Sequence, residues 1–322
     1  MEEIKVSVIC VTYNHEPYIR DALEGFVMQQ TDFAYEVLIH DDASTDKTAE
    51  IIREYERKYP DLIKPVYQTK NQYSQGVNIS TVFLFPKVKG KYIALCEGDD
   101  YWTSPHKLQK QYEALEQHPE VDMCAHSSWI LSNDGKMEES AASPVDTVLA
   151  AEQMIARDGG YVNTNTVMYR AALNHEIPPF RRIMEYDYTL KVHGALRGGI
   201  YYLHDFMSVY RKFVPDSWTD KMRSHEKERT AFDLKVMNIL DCLNRDTHGQ
   251  YEKAIAQARY YYKWDLAYLQ KDISWICREE QFKQQRKRTQ IGIYLACRFP
   301  EFYKRFIVIY KKYRKSRGIK NV

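Results

Sequence analysis

Two acidic clusters carry the residue types and spacing for chemistry, Asp41-Asp42 and Glu97-Gly98-Asp99-Asp100, and a polar triplet, Thr12-Tyr13-Asn14, precedes them. Three carboxylates within four residues repel one another unless a cation joins them, so the second cluster points to a divalent ion more than to a helix cap. Hard carboxylate oxygens select Mg2+ or Mn2+, ions that keep some waters and take substrate phosphates as further ligands. Acids at these positions are a poor site for bare phosphate. They suit a nucleotide whose base and ribose need acceptors and whose diphosphate is bridged by the metal. Gly98, inside the cluster, permits close approach of backbone to ligand. Asp46, just beyond the first pair, reads as a cap on the following helix or as part of the site.

Each cluster falls where a strand must end. Val6–Val11 is a short apolar, β-rich run; Glu36–His40, Ile63–Tyr67 and Tyr92–Cys96 are three more. Between them, Tyr18–Gln30 carries Ile19, Ala22, Leu23, Phe26 and Val27 at helical spacing. Thr45–Tyr59 carries Ile51, Ile52 and Tyr55 and stops at Pro60, and Lys107–Gln117 stops before Pro119. Alternation of this kind predicts an α/β fold with a mostly parallel sheet and helices on both faces, and such sheets bind ligands outside the carboxyl ends of their strands. From Val121 the pattern is less regular. It predicts a turn at Asn133-Asp134-Gly135, strands over 162–169 and 200–203, and a helix from Asp187 to Leu196. Beyond Ser217 it is helical, with a boundary near residue 220 and no internal repeat.

At 44% hydrophobic residues, the 322-residue chain has enough apolar mass for a core, and with 13 Gly and 11 Pro it is neither collagen-like nor low-complexity. Six widely spaced cysteines without a CxxC pair argue against a zinc knuckle or a disulfide framework. The stretch MEEIKVSVICV lacks the basic region and cleavage site of a signal peptide, and no apolar run reaches the roughly 18 residues of a spanning helix. The expectation is a cytoplasmic protein. Its net charge of +2 conceals an asymmetry: residues 281–322 hold 13 Lys and Arg against one acid, Glu301, so the tail stands at +12 and the preceding body at −10. Body and tail must meet different partners.

Val6-Ser-Val-Ile-Cys-Val-Thr-Tyr-Asn14, Asp41-Asp-Ala-Ser-Thr-Asp46 and Tyr92-Ile-Ala-Leu-Cys-Glu-Gly-Asp-Asp100, in that order and spacing, resemble the family 2 glycosyltransferases, from about residue 4 to 218. The resemblance implies the GT-A fold, a Rossmann-like sheet flanked by helices, here followed by a helical C-terminal extension. It divides the chain into a transferase domain over 1–220, with a nucleotide-sugar half (1–125) and an acceptor half (126–220), and a basic helical region over 221–322. It implies an inverting, metal-dependent transfer from a nucleotide-sugar, most often a UDP-sugar, to a saccharide or lipid-linked saccharide.

Carried over by position, the resemblance places Thr12 and Tyr13 at the base pocket, Asp41 as acceptor from the base, and Lys70 near the diphosphate. Glu97, Asp99 and Asp100 match the metal-binding acidic motif. Asp99 would lie near ribose and diphosphate, and Asp100 is the first choice for direct ligand to Mn2+ or Mg2+; Glu97 stands where many members have Asp. The segments Glu185-Tyr-Asp-Tyr188 and Met207-Ser-Val-Tyr-Arg211 resemble the acceptor-side pattern. Asp187 aligns with its catalytic base, with Glu185 as the rival acid, and Arg211 is a candidate diphosphate contact. Trp218 is a candidate shelf for a sugar ring or a core aromatic. His15, His126 and His204 have no partner at ligand spacing and read as structural or rim residues.

Two other classes compete. A sugar-phosphate nucleotidyltransferase would show a Gly-rich, Arg-containing loop after the first strand, where this chain has Thr-Tyr-Asn-His-Glu-Pro. A non-catalytic scaffold would not require Asp99, Asp100 and Asp187. Processive relatives carry a Gln-x-x-Arg-Trp signature and spanning helices; neither is present, which favours single addition. In the tail, Phe299, Phe302, Tyr303, Phe306, Ile307 and Tyr310 recur at helical spacing among Lys304, Arg305, Lys311 and Lys312. That pattern suits an anionic membrane surface on the inner face of the plasma membrane, or packing against the acidic body. Nucleic acid is not expected, for want of a nucleic-acid-binding fold.

Overall fold

The computed structural model describes residues 3–157, 161–184, 186–215, 217–283 and 287–299. Its first half is the alternating unit that the apolar runs predict. Strands β1 (Ile4–Thr12), β2 (Ala34–Asp41), β3 (Ile63–Tyr67) and β4 (Tyr92–Leu95) lie in the order β3-β2-β1-β4, all parallel. β1 is buried on both faces, Val6, Val8 and Cys10 on one and Ser7 and Ile9 on the other, as parallel strands covered by helices must be.

The cover comes from α1 (Ile19–Val27), α2 (Thr48–Lys58) and α3 (Lys107–Gln117). α1 buries Ile19, Ala22, Leu23 and Phe26, and α2 buries Ile51, Ile52 and Tyr55. Each large apolar side chain removed from water here contributes about 1.5–3 kcal/mol. The short β5 (Tyr101–Trp102) sits against α1, where Phe26 meets the Trp102 ring edge-on at 5.0 Å. A Cβ on Gly25 would lie 2.9 Å from the Trp102 backbone nitrogen, so only glycine lets helix and strand approach this closely.

The second half contributes β6 (Met123–Ser132), β7 (Met137–Ser140), β8 (Thr147–Leu149), α4 (Ala151–Ala156), β9 (Met168–Arg170), α5 (Pro179–Ile183), α6 (Asp187–Ala195) and β10 (Ile200–Lys212). The sheet continues β4-β9-β6-β10-β5. β10 runs parallel to β6, while β9 is antiparallel to both its neighbours and β5 is antiparallel to β10.

Two expectations are corrected here. The strand expected over 162–169 is reduced to β9 behind a 3-10 turn at Thr164–Thr166, because the Thr166 amide and hydroxyl both donate to the Asn163 carbonyl, at 3.1 and 2.6 Å. Such side-chain bonds compete with the ladder. The strand expected over 200–203 runs on to Lys212. The polar pair His204-Asp205 breaks its apolar pattern, and the chain absorbs it as register irregularities between Leu203 and Ser208.

The described chain divides into two compact units: residues up to 223 with 238–258, and 224–237 with those from 259 onward. The helices α7 (Trp218–Ser224), α8 (Glu226–Asp246), α9 (Glu252–Leu269), α10 (Ile273–Ile276), α11 (Glu280–Lys283) and α12 (Lys287–Arg298) complete the chain. In the second unit Ala267, Ile276, Phe282 and Cys297 form a small core with Trp264 and Trp275, and Arg229 pairs with Asp265. Of the basic tail, residues 284–286 and 300–322 lie outside the described residues, including Phe302, Tyr303, Phe306, Ile307 and Tyr310. All six cysteines are free thiols. Among the described residues no helix is long and apolar enough to cross a membrane.

Candidate active site

The carboxyl ends of β1, β2 and β4 are tied into one surface by their loops. The Asp42 amide donates to the Thr12 carbonyl at 3.0 Å and the Gly98 amide to the Val11 carbonyl at 3.0 Å. Asn14 takes a left-handed φ of 54°, which its short polar side chain tolerates. Its amide donates to Ser44 Oγ at 2.9 Å, and its Oδ1 accepts from the Thr45 amide at 2.8 Å. A Cβ on Gly98 would fall 2.6 Å from Thr12 Oγ1 and 2.9 Å from His15 Nδ1, so the glycine lets the acidic loop close down on the first strand.

Four polar atoms of this surface are buried without a hydrogen-bond partner: Thr12 Oγ1, His15 Nδ1, Asp41 Oδ1 and Asp100 Oδ2. Leaving such groups unpaired costs about 1–3 kcal/mol each, a cost that sites for polar ligands carry and packed cores avoid. Burial pushes the Asp41 carboxyl up, against the Ser44 bonds that pull it down. Asp100 stands well above the usual carboxylate range, through burial and then through Asp99 and Glu97. Glu97 still meets solvent, yet desolvation first, and then the charges of Asp99 and Asp187, push it up to about 8 against the pull of Lys191. The acids are thus held together against their own repulsion, and a divalent ion would relieve it.

Neighbouring acids divide their work. Asp42 accepts from the amides of Gln72 and Tyr73 at 2.8 and 3.0 Å and fastens the loop after β3, on which Lys70 is exposed. Asp41 keeps an oxygen for the site. Asp46 accepts from the Thr48 amide at 2.9 Å and the Glu16 amide at 3.0 Å, tying the start of α2 to the loop after β1. In the acidic loop Glu97 is exposed and Asp99 half-buried, whereas Asp100 is 1% exposed and accepts from the Arg211 amide on one oxygen at 2.8 Å. Asp100, expected as the primary ion ligand, thus has Oδ2 unpartnered, and Glu97 and Asp99 are the more accessible acids. Among the described residues no three His, Cys, Asp or Glu side chains are grouped to hold a metal by themselves. The carboxylates present fit an ion that completes its shell with substrate phosphate and water.

Arg211, the candidate diphosphate contact, is held from several sides. Pairing of β10 with β5 sets its guanidinium over the Tyr101 ring at 4.4 Å and the Tyr18 ring at 5.2 Å. It donates to the Asp99 carbonyl at 2.8 Å and pairs with Asp21. These contacts brace the acidic loop. Tyr13, 42% exposed, and Trp218, 38% exposed with its ring 5.3 Å from Tyr186, stand at the rim.

Asp187 opens α6. Its Oδ1 accepts from the Tyr188 amide at 2.7 Å, and its Oδ2 from Thr164 Oγ1 at 2.7 Å and Lys191 Nζ at 2.8 Å. Its charge bears on Glu97, in the acidic cluster. Glu185 lies outside the described residues. Sequence reasoning passed over Thr164 and Lys191; the four-residue spacing from Asp187 to Lys191 was the one available signal.

Residues 7–214 match the family described as Glycosyl transferase family 2. An uncharacterized protein of Mycobacterium tuberculosis is 36% identical over 254 residues, which cover 77% of this chain and 70% of that protein. Among solved structures, S. aureus TarS 1-349 in complex with UDP-GlcNAc superposes with a TM-score of 0.58 at 19% identity, over 91% of this chain and 79% of that chain. The mannosyltransferase PcManGT from Pyrobaculum calidifontis, in complex with GDP-Man and Mn2+, gives 0.54 at 16% identity, over 94% of this chain and 82% of that chain. At these identities the two structures speak for the fold, and it is the GT-A type of α/β sheet that the motifs imply.

Proposed function

The chain belongs to glycosyl transferase family 2 and is a glycosyltransferase, and from that premise we propose that it transfers a sugar with inversion from a UDP-sugar to a saccharide or lipid-linked saccharide. The observation that carries the donor side is the convergence of four unpartnered buried polar atoms, on Thr12, His15, Asp41 and Asp100, at the carboxyl ends of β1, β2 and β4. Asp41 Oδ1 is an acceptor for the imide N–H of uracil, with Thr12 and Tyr13 beside the base. Lys70, on the loop that Asp42 fastens, faces the diphosphate. The TarS complex with UDP-GlcNAc and the PcManGT complex with GDP-Man and Mn2+ support a nucleotide-sugar donor and a divalent ion.

Asp99 would hold Mn2+ or Mg2+, with Asp100 Oδ2 and Glu97 as further donors. The ion supplies charge neutralisation for the departing diphosphate. Asp187 takes the proton of the acceptor hydroxyl as that oxygen forms its bond to the anomeric carbon. The bond from that carbon to the diphosphate oxygen breaks on the opposite face, its electron pair leaving with the oxygen, and no donor-side nucleophile is needed. Trp218 offers its ring face to the acceptor sugar. Residues 1–220 form the transferase domain in this reading, split near 125 between donor and acceptor halves. The basic region 221–322 would rest on an anionic membrane surface. The exposed Ile291, Tyr294 and Phe299, near Lys287 and Arg298, support that contact.

Calorimetric titration of the full chain with UDP, GDP, dTDP and CDP, each in Mn2+ and in EDTA, tests the donor reading. The expected result is tight binding of UDP in Mn2+ alone. Equal affinities in EDTA would remove the metal, and a preference for another diphosphate would move the base.

A further inference from the structure

Lys191 is a buried charge whose position calls for an explanation. It lies on α6 one turn after Asp187, where a lysine ordinarily extends into water, yet its side chain is 1% exposed while that of Asp187 is 26% exposed. Burying an ammonium costs several kcal/mol unless it is paired and hydrogen-bonded. Its neighbours Tyr188, Thr189, Leu190 and Val192 are buried, and an apolar side chain would complete such packing.

The ammonium donates to Asp187 Oδ2 at 2.8 Å. The same oxygen accepts from Thr164 Oγ1, which stands on the 3-10 turn locked by Thr166 and by Asn163 Nδ2 donating to Ser128 Oγ at 2.8 Å. An ionised carboxylate offers about four lone-pair directions. Lys191 and Thr164 occupy both on Oδ2, and the Tyr188 amide occupies one on Oδ1. One direction on Oδ1 is left.

We propose that Lys191, with Thr164, is a positioning residue that holds Asp187 turned so that a single lone pair of Oδ1 receives the acceptor hydroxyl. The inference rests on the reading of Asp187 as the base and adds the device that orients it. Fixing a base in one attack geometry acts on turnover and leaves donor affinity alone.

The test uses the full chain and water as acceptor, following release of UDP or GDP from UDP-glucose, UDP-N-acetylglucosamine and GDP-mannose, with calorimetric affinity for UDP and GDP alongside. Lys191→Met, close in shape and without the charge, is expected to lower kcat about thirtyfold, with donor KM and diphosphate affinity within about twofold. Lys191→Arg, which keeps charge and donors, is expected to recover most of that loss, and Thr164→Val to cost about fivefold. If Lys191→Met melts early, Thr164→Val and Lys191→Arg carry the comparison. Wild-type kcat in Lys191→Met, with Asp187→Asn inactive, overturns the inference and leaves the base reading standing. Parallel loss of kcat and diphosphate affinity also overturns it, since the lysine then serves the fold or the donor. Full turnover in Asp187→Asn removes the base reading and the inference with it. Independently of turnover, the buried paired ammonium predicts a slowly exchanging 15N signal that Asp187→Asn displaces; its absence from the wild type counts against the proposal.

Discussion

On the donor side, Thr12 Oγ1, His15 Nδ1, Asp41 Oδ1 and Asp100 Oδ2 are buried without partners, whereas on the acceptor side the carboxylate of Asp187 already holds three donors. In the proposed transfer the two regions meet opposite demands. A nucleotide brings its own donors and, with a metal, its own charge compensation, so the wall that receives it is left incomplete. The acceptor brings a hydroxyl that must meet a base in one geometry, so that base is fixed beforehand. Altering the first region should be read in binding, and altering the second in turnover.

The sharpest test of that division is Asp187→Asn. The amide cannot take the proton, and general-base loss is worth about a hundredfold to ten-thousandfold in kcat. UDP affinity should stay within about twofold, because none of the orphaned donor-side atoms is touched. Loss of UDP binding in this variant, measured by calorimetry, would erase the distinction between the regions.

Gly98→Ala attacks the other side. The added methyl would meet Thr12 Oγ1 at 2.6 Å and His15 Nδ1 at 2.9 Å, forcing the acidic loop off the first strand. Overpacking of this kind costs about 1–3 kcal/mol, and the expected outcome is UDP affinity lowered about tenfold or more together with a lower Tm. An unchanged affinity would show that the loop has more room than the static contacts imply.

Glu97→Gln separates stability from function on the donor side. The carboxyl is raised from its ordinary value to about 8, chiefly by desolvation, so the folded state binds a proton that the unfolded state has released between those two values. Native stability therefore falls as pH rises across that window, and the glutamine variant, which cannot ionise, escapes the fall. Its Tm should match the wild type below the ordinary carboxylate range, rise above it progressively, and level off beyond pH 8, while Mn2+-dependent UDP binding weakens. A Tm difference that ignores pH would place the strain of this acid elsewhere.

The same contrast explains what could be read before the fold was known. Val6–Val11, Glu36–His40 and the α1 stripe of Ile19, Ala22, Leu23 and Phe26 are local patterns of apolar periodicity, and each became the element it predicts. The three motifs at strand ends were legible for the same reason, since their positions follow from where the apolar runs stop. The apolar pattern alone did not distinguish Asp41 from Asp42, which only the resemblance separated, because Asp42 fastens a loop some thirty residues away. The bracing contacts of Arg211 could not be read ahead because they depend on antiparallel pairing of β10 with β5, a contact between distant segments. Lys191 had the spacing of a surface ion pair, and only its burial makes it a device.

The smallest expected effect belongs to Lys70, and its smallness is informative. The side chain is exposed on the loop that Asp42 holds, so its charge reaches a bound diphosphate through water. Exposed charge interactions are worth about 0.2–1 kcal/mol and are screened over roughly 10 Å at 0.1 M salt. Lys70→Ala should weaken UDP binding about twofold to fivefold at low ionic strength, and the difference should fade as salt is raised. A buried contact would behave otherwise, losing more and ignoring salt. If Lys70→Ala costs a hundredfold at every ionic strength, the loop closes over the diphosphate in the bound state, and the donor side is completed by the protein as well as by the ligand.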